Sequence, residues 1–182
     1  MKKLFLFTGL CLFMAATTFF SCEEMEDVIG SMDITIDGKE THIPSAYFQF
    51  ADETTIITAV GVGHNISVNF HGKTAGTYTL GFGQDATAAI EAAFSGGFTT
   101  PKNVLVYKPI LNTNTQDIMT SVFGKIKITE ASSTSMKGSF DVTVADFETL
   151  RNLDLAGVRD ILNGSESSRI SGTFTAVSMT NK

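Results

Sequence analysis

The sequence predicts an all-β protein: an antiparallel β-sandwich or partly closed barrel with one short helical insertion. Apolar and polar residues alternate in many short runs, among them Met32-Asp33-Ile34-Thr35-Ile36-Asp37 and Gly124-Lys125-Ile126-Lys127-Ile128-Thr129. A period of two is what a strand with one buried face requires. Turn residues separate these runs every ten residues or so, roughly the spacing seen in sandwiches and barrels. A single longer stretch, 146–164, sets its apolar residues near helical spacing instead.

In chain order, Met1-Lys2-Lys3 is a positive start, and Leu4 to Phe20 is an apolar run broken by Thr8, Gly9 and Thr17-Thr18. It is too short and too weakly flanked to span a bilayer, and reads as a secretory signal. The small residue Ser21 directly before Cys22 resembles the bacterial lipobox, with Phe19 standing where Leu is usual. The resemblance implies cleavage before Cys22 and acylation of its thiol, palmitate included. Acyl chains contribute about 0.8 kcal/mol per buried methylene, so such a cysteine anchors a protein without a spanning helix. The alternative, an ordinary cleavage nearby, leaves Cys22 as an exposed thiol in an oxidising compartment, which is a liability.

Residues 1–21 are therefore expected to be a lipoprotein signal peptide, 22–30 an acidic tether, and 31–182 a single β domain. Glu23, Glu24, Glu26 and Asp27 cannot clamp a membrane, because anionic headgroups repel carboxylates. They resemble the acidic export tag of surface lipoproteins of the Bacteroidota type; the plainer reading is a solvated linker. The expected location is the outer membrane, lipid-anchored, at the cell surface.

Thirteen Lys and Arg are scattered among nineteen acids, for a net charge of −6. With no basic patch, nucleic acid is not an expected partner. Once Cys11 leaves with the leader and Cys22 is acylated, no thiol remains for a disulfide, a Cys-ligated metal or a nucleophile. The domain has to hold by burial, for which fifteen Phe, several of them in the leader, supply material.

The first strand, 32–37, is expected to turn at Gly38-Lys39 into a second, Glu40 to Ala51, with Pro44 at an edge or bulge. Asp52-Glu53 turns into Thr55–Val60, and Gly61–Asn65 joins that strand to Ile66–Phe70. Gly72–Gly76 is the next turn, before the short strand Thr77–Leu80. Ala86, Ala88, Ala89, Ala92 and Ala93 favour a helix over 84–96, but the neighbouring pattern favours a strand, which is the reading adopted. Val104–Tyr107 is a strand ended by Pro109, and Asn112–Thr115 a polar loop. Gly124–Glu130 and Gly138–Val144 form a hairpin. Asp146 can cap a helix that Asn163-Gly164 stops, with Gly157 dividing it into one or two short pieces. Arg169–Val177 is the last strand. Phe70, Ile128, Phe140 and Phe174 are expected in the core.

Several of these segments, in this order and spacing, resemble a family of Bacteroidota lipoproteins built on a domain of unknown function. They are Ile36-Asp37-Gly38-Lys39, Gly76-Thr77-Tyr78-Thr79-Leu80-Gly81, Gly124–Thr129, Lys137-Gly138-Ser139-Phe140 and Gly172-Thr173-Phe174. The resemblance covers nearly all of the chain after Cys22 and implies an all-β fold. Its motifs are strands and turns, so it transfers no catalytic residue, and the 146–164 segment is longer than the equivalent connection there.

Candidate chemistry is sparse. His64 and His71 lie an odd number of residues apart on one strand and point to opposite faces, so His42, His64 and His71 read as solvent-facing turn residues rather than metal ligands. Asn112, Asn114, Gln116 and Asp117 begin like a calcium loop. Asp117, however, stands where that loop needs glycine, and Phe123 where it needs the bidentate acid. Gly61-x-Gly63 and Gly81-x-Gly83 lack a following helix N-terminus to cradle phosphate. There is no Gly-x-Ser-x-Gly elbow and no paired carboxylates that stand apart from their turns. Tyr47, Tyr78 and Tyr107 could stack on sugars, but without Trp they read as buried sheet tyrosines with hydroxyls at the rim.

The expectation is thus a lipid-anchored envelope protein, lipidated at Cys22. It would be a non-catalytic binding or structural module with no cofactor and no metal, whose partner is a protein or glycan. The alternative is a lipocalin-like barrel carrying a small apolar ligand.

Overall fold

The computed structural model describes residues 29–96, 101–109, 118–146, 149–150 and 155–179. The leader, Cys22, the tether up to residue 28 and the 112–115 loop with its calcium-like start lie outside the described residues.

The elements are β1 (Ser31–Ile36), β2 (Lys39–Ile43), β3 (Ala46–Ala51), β4 (Thr54–Gly61), β5 (His64–His71), β6 (Gly76–Thr79), α1 (Ala86–Gly96), β7 (Val104–Pro109), β8 (Met119–Ala131), β9 (Ser135–Asp146), α2 (Leu155–Leu162) and β10 (Ser168–Ser178). Among the described residues, seven strands close into a barrel in the order β10-β3-β4-β5-β7-β8-β9. The hairpin β1–β2 extends the sheet beyond β10, and β6 pairs with β8.

Closure rests on two narrow seams. The chain β3-β4-β5-β7 and the chain β2-β1-β10-β9-β8-β6 are each broadly paired. They join where β10 meets β3 over Val177 and Ser178, and where β7 meets β8 over Val106 and Tyr107. The fold is therefore two facing sheets joined at both corners, at once sandwich-like and closed.

The first seam is parallel, an exception to the antiparallel expectation, because the end of β10 and the start of β3 run side by side. At the second, β8 carries a bulge between Ser121 and Phe123 and bends away from β7. The ladder gives way there to the fully buried Ser121 hydroxyl, which accepts from the Leu105 N–H at 2.9 Å. Further along, residues 80–83 enter the widening gap. Leu80 and Phe82 donate to Gly124 and Val122, and Gly81 donates to the Asn103 carbonyl. The Asn103 side chain finishes the corner, accepting from the His71 N–H and donating to the Thr79 carbonyl, each at 2.8 Å.

One hydrophobic cluster spans the inner faces of both sheets. Phe70, Ile128, Phe140 and Phe174, expected inside, are exposed by no more than 4%. Gly138-Ser139-Phe140 and Gly172-Thr173-Phe174, similar in sequence, pair directly across β9 and β10, Gly172 facing Phe140 and Phe174 facing Gly138. Each ring covers the other strand's glycine. A Cβ on Gly172 would lie 2.9 Å from the Phe140 ring and 2.4 Å from the Asp33 carbonyl; one on Gly138 would lie 2.8 Å from the Phe174 ring. The absent side chains make room for two phenyl groups.

Four expectations are corrected. The first turn is Asp37-Gly38, both at positive φ, so β2 begins one residue earlier; such two-residue turns match the twist of paired strands. The strand expected over Glu40–Ala51 is broken at Pro44-Ser45, where proline cannot donate to a ladder and the chain leaves β1 for β4. Residues 86–96 are helical. Asp85 accepts from the Ala88 N–H at 3.0 Å as a cap, and the alanine run after it favours helix more than it favours strand pairing. Gly157 lies within α2 rather than at a break. That helix is held by buried Ile161 and by a Schellman end, with Gly164 at φ 77°, Gly164 N–H donating to Ile161 and Ser165 N–H to Asp160. Ahead of the separate helical residues 149–150, Asp146 makes the expected cap contact, accepting from the Thr149 N–H at 2.8 Å.

Candidate ligand groove

Residues of β1, β2 and β10 that point away from the core alternate with the buried ones, and the register aligns them in rows. One row runs His42, Asp33, Thr173, Ser139, Lys127, and the next Glu40, Thr35, Ser171, Asp141, Lys125. Over β2, β1 and β10 this face forms an open groove of about 670 Å³, lined by Asp33, Thr35, Glu40, His42, Ser171 and Thr173 among others. A second hollow of about 320 Å³, which includes Lys125, Asp141 and Arg169, continues the polar surface over β8 and β9.

Side-chain contacts between strands hold the walls. His42 Nδ1 lies 2.6 Å from Asp33 Oδ1, with both side chains largely exposed. Arg169 donates to both carboxylate oxygens of Asp141, from Nε at 2.8 Å and from Nη2 at 2.6 Å. The fork holds the Asp141 pKa below its ordinary value and raises that of Arg169 further. Asp37 ties the hairpin tip to β10, its N–H donating to the Arg169 carbonyl and its carboxylate accepting from the Arg169 N–H.

The histidines do not converge. His42 belongs to strand β2, not to a turn, and is taken up by Asp33. His64 is half-buried at the start of β5, stacked on Tyr107 with its Nδ1 2.9 Å from the phenol oxygen. Burial pushes the Tyr107 pKa up, so that phenol keeps its proton. His71 is exposed at the end of β5. Among the described residues, no group of three or more His, Cys, Asp or Glu is placed to hold a metal ion.

The tyrosines are dispersed as well. Tyr107 is buried; Tyr78 packs on Phe70 with ring centroids 4.6 Å apart and donates to the Thr74 carbonyl; Tyr47 is half-buried on the outer face of β3. They form no stacking platform. Cys22, expected to carry lipid, lies outside the described residues.

Among the described residues, the side chains that face the interior are buried. Phe48, Phe70, Ile57, Ile66, Leu105, Ile126 and Met136, drawn from both sheets, have no exposed surface at all. A side chain bordering a water-sized void would show some.

Sequence reasoning weighs His42 only as a metal ligand or a solvent-facing turn residue and does not single out Asp33 or Thr173, although part of the signal is there. A two-residue turn at Asp37-Gly38 pairs residue 33 with 42, whereas a turn one residue later does not. The β10 wall had no such local signal, since its pairing with β1 joins the two ends of the chain. Compared with known protein families, curated proteins and solved structures, the chain matches none.

Proposed function

We propose that this protein is a lipid-anchored component of the cell envelope, held at the outer-membrane surface through acylated Cys22. In this reading it is a non-catalytic binding module whose ligand sits in the outer groove between Asp33, His42 and Thr173. The observation that carries the binding assignment is the location of free space: among the described residues the inward-facing side chains are buried, while the groove is open. A carried apolar ligand needs an internal cavity of roughly 300–1,000 Å³, and the packing favours the outer site over that arrangement. The lining alternates hydroxyls with carboxylates and one imidazole, which suits a polyhydroxylated ligand such as a surface glycan.

In this reading the contacts of His42 with a carboxylate and of His64 with a buried phenol are structural. No helix among the described residues is long and apolar enough to cross a membrane.

Two measurements test the reading. Cys22→Ala should abolish labelling by radioactive palmitate and release the protein from membranes; unchanged partitioning without label refutes the anchor. Calorimetric titration of envelope glycan fractions should give binding to the wild type that Thr173→Trp, which fills the groove from an exposed position, abolishes. Equal binding by the variant moves the site elsewhere. A lipid-sized mass retained in native mass spectrometry would establish the interior carrier instead.

A further inference from the structure

The end of the domain that meets the tether carries an apolar patch. The described residues begin at Ile29, which is 61% exposed, followed by Gly30, whose carbonyl accepts from the Ala46 N–H at 2.8 Å. Next to it the Ser45 carbonyl accepts from the Val60 N–H at 3.0 Å. Val60 is 43% exposed and Val62, at the tip of the β4–β5 hairpin, 93%. Exposed Pro44 stands beside Gly61, its Cδ 3.5 Å from where a Cβ would be. Of the five large apolar side chains exposed among the described residues, Val60 and Val62 share the end of one hairpin, and the bonds through Ser45 and Ala46 set Ile29 two strand spacings, or about 10 Å across the backbone, from Val60.

Single exposed apolar residues need no explanation, but a cluster at one place does. Val62 precedes Gly63, whose φ of 84° makes the tip a turn that many polar residues would satisfy at position 62. Folding does not require valine there. Lys108, exposed on β7, pairs with Asn65, which pairs in turn with Val60, and so sets a cation at the rim of the patch.

We infer that Ile29, Pro44, Val60 and Val62 form a membrane-facing surface, and that the β4–β5 hairpin tip rests in the interface of the bilayer that holds the lipid anchor. This rests on acylation of Cys22. Six residues separate Cys22 from Ile29, and a chain of that length reaches at most about 25 Å. The patch is thus confined to the neighbourhood of the headgroups, where apolar side chains flanked by a lysine are favoured. The barrel then has a fixed orientation, with the hairpin down and the β10 start away from the lipid.

The sequence contains no Trp, so a single substitution supplies an unambiguous probe. Lipidated full-length mature protein carrying Val62→Trp, and separately Glu166→Trp as a control, is bound to phosphatidylethanolamine/phosphatidylglycerol vesicles. Glu166 precedes β10, roughly 25 Å along that strand from Thr175 beside the tether exit. The Val62→Trp emission should shift to the blue and be quenched by brominated lipid, while the Glu166→Trp emission stays as in water. A water-like, unquenched Val62→Trp signal from protein that floats with the vesicles overturns the inference and leaves the anchor standing. Wild-type protein that fails to float overturns both. A concentration-dependent blue shift of Val62→Trp in the unlipidated Cys22→Ala form, without vesicles, assigns the patch to a second copy of the chain and overturns the lipid assignment.

Discussion

Gly172 and Asp141, one residue apart in the pairing of β9 with β10, show how single side chains hold this surface in opposite ways. At Gly172 the requirement is emptiness. Gly172→Val would drive a branched side chain into the Asp33 carbonyl and the Phe140 ring, and overpacking of this kind costs about 1–3 kcal/mol. The expected drop in the urea midpoint should be accompanied, if the proposed groove is the binding site, by loss of the proposed glycan binding, because Asp33 lines the groove. At Asp141 the requirement is a partner. Its carboxyl pKa is lowered, chiefly by the Arg169 hydrogen bond, so its contribution is full above the ordinary value of 3.8 and is lost as pH falls through the lower folded value. Arg169→Gln should therefore cost a small amount of stability at pH 7, limited by solvent screening. The two proteins should converge in acid, and denaturation curves from pH 7 to pH 2 check this. A difference that persists at pH 2 would assign Arg169 a packing role instead.

At the scale of elements, the barrel is held shut at places where strands barely pair. The β7–β8 seam has two paired positions, after which Ser121, residues 80–83 and Asn103 take over. Asn103→Ala removes two hydrogen bonds, at a net cost of about 0.5–1.5 kcal/mol each. The prediction is a destabilisation of about 1–3 kcal/mol with faster amide exchange localised at His71, whose N–H loses its acceptor. Uniformly faster exchange would mean that Asn103 stabilises the whole fold without closing this corner. The helices lie outside the closure: Ile161, with Leu150, packs over Val122 and Ala145 in a small cluster of its own.

For the molecule as a whole, one cluster joins both sheets, so unfolding should be a single transition although the fold can be drawn as two layers. Phe140→Ala is expected to cost about 3–5 kcal/mol, a large share of the ~5–15 kcal/mol that holds a domain together. Tyrosine fluorescence and circular dichroism should still report coincident midpoints in urea. Separated midpoints would show that the two sheets unfold independently and that the narrow seams, rather than the shared core, limit cooperativity.

What was legible in the sequence was whatever a strand determines by itself. Alternation assigned Phe70, Ile128, Phe140 and Phe174 to the interior because successive side chains must point to opposite faces, wherever the partner strand lies. Asn163-Gly164 and Asp146 marked helix ends because a cap is made within a few residues. Asp85 and the alanine run carried the same kind of local signal for α1, and it was outweighed by the expectation of continued strands. The parallel contact of β10 with β3, the buried hydroxyl of Ser121, the groove between Asp33 and Thr173 and the placement of Ile29 two strands from Val60 were decided only by the tertiary structure. Each depends on which distant strands become neighbours, and that is set by closing two sheets around a shared core, which local spacing does not encode.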